Sequence, residues 1–207
     1  RAMWQSVWTS LVVAFFVVIV ALPIGIAAAL ILTSLHARAR GFLYALMVSP
    51  LLTPGVVIGI STLVLWRQLG VGGGVFLIVV AQASFIICYV MLMVAARLQR
   101  FDRTQEEAAL GLGASKVMVF RRVLLPFLRP ALIAAAFLAI LQSIENYNTT
   151  LFVRGFDTPL TVFIATKVRT GLTPAVNALA LIMIAITILG AVAYEIARRR
   201  QAAARAV

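Results

Sequence analysis

The 207-residue chain is 63% hydrophobic and only 12% charged, with a formal net charge of +12 at pH 7. That balance excludes an ordinary soluble domain, and because the apolar residues come in runs instead of alternating, the chain reads as a membrane protein. The cations lie between the runs, where the positive-inside rule accounts for them, so their excess does not describe a nucleic-acid-binding face.

About 20 apolar residues in a helix cross a bilayer core, and five stretches reach that length: residues 7–32, 42–66, 75–96, 130–152 and 177–196. The first leads into a basic turn at His36, Arg38 and Arg40. The second contains Pro50 and Pro54 in Ser-Pro-Leu-Leu-Thr-Pro-Gly. Each proline removes a backbone donor and clashes with a preceding carbonyl, which predicts a kink or an unwound turn. Such a break is tolerated at membrane depth where protein or water satisfies the freed groups, so it serves either a pathway or helix packing. The glycines of residues 70–74 lack the lysine of a phosphate-binding loop and read as a turn. Cys88, inside the third run, reads as a small buried hydrophobe.

Between the third and fourth runs, residues 101–126 are too polar to cross a bilayer and too patterned for a linker. Thr104 followed three residues later by Glu107 has the capping-box spacing, which predicts a helix starting there. Ala108 and Ala109 propagate it, and Gly111 and Gly113 end it. Ser115 then caps a second short helix running to about Val123, and Pro126 marks the bend back into the membrane.

The fourth run ends in the polar block Gln-Ser-Ile-Glu-Asn-Tyr-Asn-Thr-Thr at 142–150. If the helix continues through it, Glu145 is an ionisable group inside a span and a candidate for attracting a cation. Tyr147 would add an aromatic face, and Asn146 and Asn148 hydrogen bonds. If the helix ends near Gln142, the same block is an exposed connection. The clusters around 38–40, 97–129 and 198–205 alternate in a way that puts them, and the carboxyl terminus, in the cytoplasm. Arg1 then lies outside, and with no initiating Met or signal pattern a sixth span upstream is expected.

Glu107-Ala108-Ala109, three residues, Gly113, nine residues, Val123, one residue and Leu125-Pro126 resembles the EAA motif of binding-protein-dependent ABC importer permeases, with valine for the more usual isoleucine. The resemblance implies an all-α, polytopic transmembrane bundle of the type I ABC importer permease fold, with residues 1–207 forming one transmembrane domain. It also implies that 101–126 forms coupling helices seated on a separate ATPase, through Glu107, Ala108, Ala109, Gly113, Val123, Leu125 and Pro126. The implied partners are ABC ATPase subunits, a second and related permease subunit, a periplasmic substrate-binding protein and the lipid bilayer of the bacterial inner membrane. No Walker-type Gly-x-x-x-x-Gly-Lys-Ser/Thr pattern occurs, so no cofactor is expected in this chain, and ATP and Mg belong to the ATPase.

Within that family the chain looks most like the spermidine/putrescine-type permeases, over stretches including 143–155 and 171–180. Those permeases tend to carry two adjacent acidic residues where this chain has Glu145-Asn146. That departure leaves room for a monovalent amine, an amino-acid derivative or another small solute. A secondary transporter, the rival from another class, would show paired inverted repeats with broken helices, and an intramembrane enzyme a catalytic constellation. Neither pattern occurs here, nor does metal-ligand spacing.

Overall fold

The computed structural model describes residues 2–170 and the helical positions 181, 182, 185 and 188. In chain order the elements are α1 (Ala2–Ser34), α2 (Ala37–Leu52), α3 (Gly55–Gln68), α4 (Val75–Leu98), α5 (Thr104–Gly111) and α6 (Lys116–Val119). A π-helical turn (Phe120–Leu124) leads into α7 (Leu125–Glu145), followed by α8 (Thr150–Val153) and α9 (Leu160–Thr170). The chain divides into two compact units, Arg1–Val162 and Phe163–Val207. In the second, Lys167 Nζ lies 5.8 Å over the Phe163 ring.

The core of the first unit is the packing of α1, α4 and α7 on one another. Val13, Val17, Ala21, Ala28 and Leu32 recur at helical spacing along α1 and are buried against Ile78, Ile86, Val90 and Val94 of α4 and Leu128, Ala135 and Ala139 of α7. Lipid offers no hydrophobic drive between helices, so close fit must hold them, and small residues permit it. At Gly25 a Cβ would sit 2.5 Å from Val90 Cγ1 and 3.2 Å from the Ile87 carbonyl oxygen, so the α1 backbone lies directly on α4 there. The opposite face of α1 leaves Trp4, Trp8, Phe15, Phe16 and Ile31 exposed, as a lipid-facing surface requires. Cys88 is buried, with its thiol toward the Met47 carbonyl, as the packing reading expects.

Among the described residues, three helices are long and apolar enough to span a membrane: Ala2–Ser34, Val75–Leu98 and Lys116–Glu145. A fourth span is made if α2 and α3, bent by 99° at their junction, count as one. The fifth expected span, residues 177–196, lies outside the described residues, apart from positions 181, 182, 185 and 188.

Two expected boundaries change. The fourth run is helical from Lys116, not from 130, because the chain does not bend at Pro126. The π-helical turn comes immediately before this proline, and the wider turn accommodates both the missing N–H and the ring that would strike the preceding turn. The same helix ends at Glu145, not 152, and α8 resumes only at Thr150.

The break in the second run forms as the prolines predict. Pro50 leaves the Leu46 carbonyl without its helical donor, and Ser49 Oγ donates to that oxygen at 2.8 Å. Thr53 Oγ1 donates to the Ser49 carbonyl at 3.0 Å. Thr53 is extended, as the residue before a proline prefers, and Pro54 then starts α3 by accepting from the N–H groups of Val57 and Ile58. The hydroxyls on this turn satisfy what the prolines expose.

Candidate functional site

The helix break and the polar block, 90 residues apart in sequence, line one cavity of about 350 Å³. Pro50, Thr53, Gly55 and Ile58 form one side, and Gln142, Glu145, Asn146, Tyr147, Asn148 and Thr149 the other. Pro54 makes the bend without lining the cavity. Glu145 and Asn148 are exposed and Asn146 and Tyr147 half-buried, while Thr149 and Thr150 are fully enclosed. The block is therefore neither a continuous span nor a loose external loop. It is a packed break at the end of α7.

A buried hydrogen-bond network holds that break. Gln82 of α4 donates to Thr150 Oγ1 at 2.8 Å and accepts from Ser143 Oγ at 2.6 Å. Asn146 Oδ1 accepts from the Thr150 N–H at 3.2 Å and from its hydroxyl at 3.0 Å, and the Asn146 carbonyl accepts from Thr161 Oγ1. The Asn146 side chain is thus committed to shaping the turn, leaving the carboxylate of Glu145 and the amide of Asn148 as its exposed polar neighbours. Thr149 also lines the cavity, and its buried hydroxyl has no hydrogen-bond partner among the described residues.

Sequence reasoning missed Gln82, Phe85 and Tyr89. Gln82 anchors the network, and Phe85 and Tyr89 complete the cavity wall. The signal was available: Gln82 is an isolated amide in an apolar run, and residues 82, 85 and 89 share one face of a helix.

The α3 backbone rests directly on the polar block. A Cβ on Gly59 would sit 2.6 Å from the Thr149 carbonyl oxygen, too close without moving one of the two segments. Gly59→Ala is expected to lower the stability of the solubilised protein by about 1–3 kcal/mol through this overpacking. Gly41→Ala, where nothing lies within 4 Å of the added atom, should leave it unchanged. Thermal unfolding of both variants checks the contrast, and equal melting temperatures would contradict the contact.

At the other end of the bundle, the loop between α4 and α7 forms the expected pair of short helices. The cap differs from expectation. Thr104 begins α5, but the N-cap position is Arg103 with no side-chain cap, and the Asp102 carboxylate accepts from the Thr104 N–H at 3.0 Å. Bonds from the Thr104 hydroxyl and backbone N–H hold the Asp102 carboxyl below its ordinary pKa. Asp102, two residues ahead of Thr104, takes the place of the reciprocal capping box. Glu107 is left exposed in the first turn, where the helix dipole favours a negative charge.

Helix α5 ends in a Schellman motif: Gly113 N–H donates to the Leu110 carbonyl at 2.9 Å and Ala114 N–H to the Ala109 carbonyl at 3.1 Å. Gly113 has φ +86°, in the left-handed region, whereas Gly111 stays within the helix. Ser115 caps α6 by accepting from the Met118 N–H at 3.3 Å, as the sequence predicts.

Ala108 and Gly113 are exposed, Ala109, Val123 and Leu125 half-buried, and Pro126 exposed. Leu112 is 90% and Val117 65% exposed, which marks the loop as a surface that the described residues leave uncovered. Val117 and Met118 also line an open groove of about 540 Å³ with Ser115, Arg121 and Arg122. The loop is nonetheless tied to the bundle. Arg103 Nη2 donates to the Thr33 carbonyl of α1 at 3.2 Å, and Phe101 packs on Phe127 of α7 at 5.0 Å between ring centroids. Arg97 lies over the Phe127 ring, 4.2 Å from its centroid.

The bundle thus carries a polar cavity beside a broken helix at one end and an exposed loop of two short helices, tied to α1 and α7, at the other. Residues 21–203 match the family described as binding-protein-dependent transport system inner membrane component, and the chain belongs to that family.

Its relatives include the spermidine/putrescine transport system permease protein PotC of Haemophilus influenzae, 32% identical over 89% of this chain and 72% of that protein. The putrescine transport system permease protein PotI of Escherichia coli is 33% identical over 97% of this chain and 74% of that one. Among solved structures, a chain of a bacterial ABC transporter that imports the acidic polysaccharide alginate superposes with a TM-score of 0.68 at 18% identity, covering 88% of this chain and 65% of that one. An amino acid ABC transporter chain superposes at 0.61 and 20% identity, covering 96% of this chain and 94% of its own length. At such identities the likeness establishes the fold: this is an ABC importer permease fold.

Proposed function

We propose that the chain is one permease half of an ATP-binding-cassette importer for polyamines or a related small amine. The observation that supports this most is the cavity joining the Pro50 break to Glu145, in a chain about one-third identical to permeases named for spermidine and putrescine. Glu145 supplies the charge that draws an ammonium group from water, Tyr147 offers it an aromatic face, and Asn148 a hydrogen-bonding amide. Asn146 keeps the turn in shape. The break at Pro50 and Pro54 lets α3 fold over the cavity, so the wall can move without unravelling a span.

The loop at the opposite end faces the cytoplasm, where Glu107, Ala108, Ala109 and Gly113 meet an ATPase subunit. Val123, Leu125 and Pro126 carry its displacement into α7. ATP and Mg are held by the ATPase subunits, and this chain is a non-catalytic partner. A second, related permease completes the pathway, and a periplasmic binding protein delivers the solute to the cavity end. ATP-driven closure of the ATPase pair biases the two permease halves between inward- and outward-open forms, a two-state switch.

A second reading is favoured by the single carboxylate in the cavity wall: a monovalent amine or an amino-acid derivative in place of a polyamine. ATP hydrolysis by the reconstituted complex, stimulated by its binding protein loaded with putrescine, spermidine or small monoamines, decides between them. Stimulation by diamines and triamines is the expected result. Stimulation only by a neutral solute would overturn the amine reading.

A further inference from the structure

A groove of about 480 Å³ lies where the end of α1, the start of α2 and the end of α4 converge. Leu32, Leu92 and Ala95 form its apolar floor, and Arg40, Tyr44 and Gln99 its polar rim. None of the described residues that line it is acidic, and Arg38 is exposed two residues from Arg40 of the rim. The guanidinium of Arg40 uses one nitrogen, Nη2, on the Thr33 and Leu35 carbonyls at 3.5 and 3.2 Å. Those bonds fix the cation at the rim and leave its remaining N–H groups for another acceptor. Leu43, Met47 and Val48 of α2 pack against the core, while Arg40, Gly41 and Tyr44, which line the groove, are exposed.

We propose that this groove holds an anionic phospholipid of the cytoplasmic leaflet, with its phosphate on Arg40 and Tyr44 and an acyl chain along Leu32 and Leu92. The inference rests on the orientation given under the proposed function, which puts this end of the bundle at the cytoplasmic headgroups. A phosphate with an attached hydrocarbon tail fits both halves of the groove. A free phosphate would leave the apolar floor wet. Basic sites at this depth select anionic headgroups by charge, and the selection weakens as salt screens it.

Gly41 gives a way to fill the groove without touching its charge, since nothing lies within 4 Å of a Cβ placed there. The intact transporter complex, purified from mixed nanodiscs, is examined by native mass spectrometry for retained phosphatidylglycerol against phosphatidylcholine. The wild type is expected to retain phosphatidylglycerol about fivefold over phosphatidylcholine, the preference one interfacial cation supplies. Gly41→Leu and Arg40→Gln should each abolish it. Gly41→Leu keeps the proposal testable if loss of the α1 cap makes Arg40→Gln unstable.

Equal retention of the two lipids by the wild type, or an unchanged preference in Gly41→Leu, overturns the site. So does efficient cross-linking of Gly41→Cys to the second permease subunit, because the groove would then be a protein interface. Amine uptake is measured on the same samples. A complex that transports normally but retains no anionic lipid refutes the lipid site and leaves the permease reading standing.

Discussion

Glu145→Gln is expected to reduce uptake of a cationic amine by about ten- to a hundredfold, the range set by losing one charge-assisted hydrogen bond. The substitution keeps the shape of the side chain and one acceptor oxygen, and removes the charge. Glu145 ends α7 in the wall of the cavity, and among the described lining residues it alone carries a carboxylate. Its loss therefore leaves nothing in this wall to replace the hydration an ammonium group gives up. A neutral solute carried by the same complex should be affected by less than about threefold, because its hydrogen bonds survive the change. Uptake into proteoliposomes, measured for a charged and a neutral solute on one preparation, reads the ratio directly. Equal losses for the two would mean that the residue shapes the turn and does not select charge.

The parts of this molecule legible in the sequence are those governed by local chemistry. Pro50 and Pro54 announce their break through missing donors, and the structure bends there by 99°. Ser115 and Gly113 announce a cap and a left-handed turn, and both form. What the sequence could not order was competition between neighbours. Asp102 and Glu107 could each accept from the Thr104 N–H at the start of α5, and Asp102, reaching forward across two residues, holds it. At Pro126 a bend and a widened turn both relieve the proline, and the π-helical turn keeps one continuous helix through it.

Long-range pairing was less visible still. That residues 50 and 145 share a cavity depends on how α3 folds onto 146–150, and nothing local to either segment encodes it. Gln82 was the available clue. A buried amide inside a membrane span needs partners, and it finds them in Ser143 and Thr150 on both sides of the break.

Gly113→Asp is expected to abolish transport while the chain still inserts into the membrane at close to normal abundance. The two effects separate because the intrinsic cost of the change is small. A side chain at φ +86° adds about 1–2 kcal/mol of backbone strain, eased for Asp, which enters the left-handed region more readily than most residues. Among the described residues no atom lies within 4 Å of the new Cβ, so the bundle they form is not disturbed. The carboxylate instead projects from the turn between α5 and α6, beside the exposed Ala108 and Leu112, where a partner would have to approach the backbone. An added charge that must be desolvated in such a contact opposes docking far more than it opposes folding. Gly113→Ala supplies the control, since it carries the strain without the charge and should retain a measurable fraction of uptake. Membrane abundance, ATPase copurification and uptake are read together. If the Asp variant copurifies with its ATPase and transports at the wild-type rate, this loop is not where the motor takes hold.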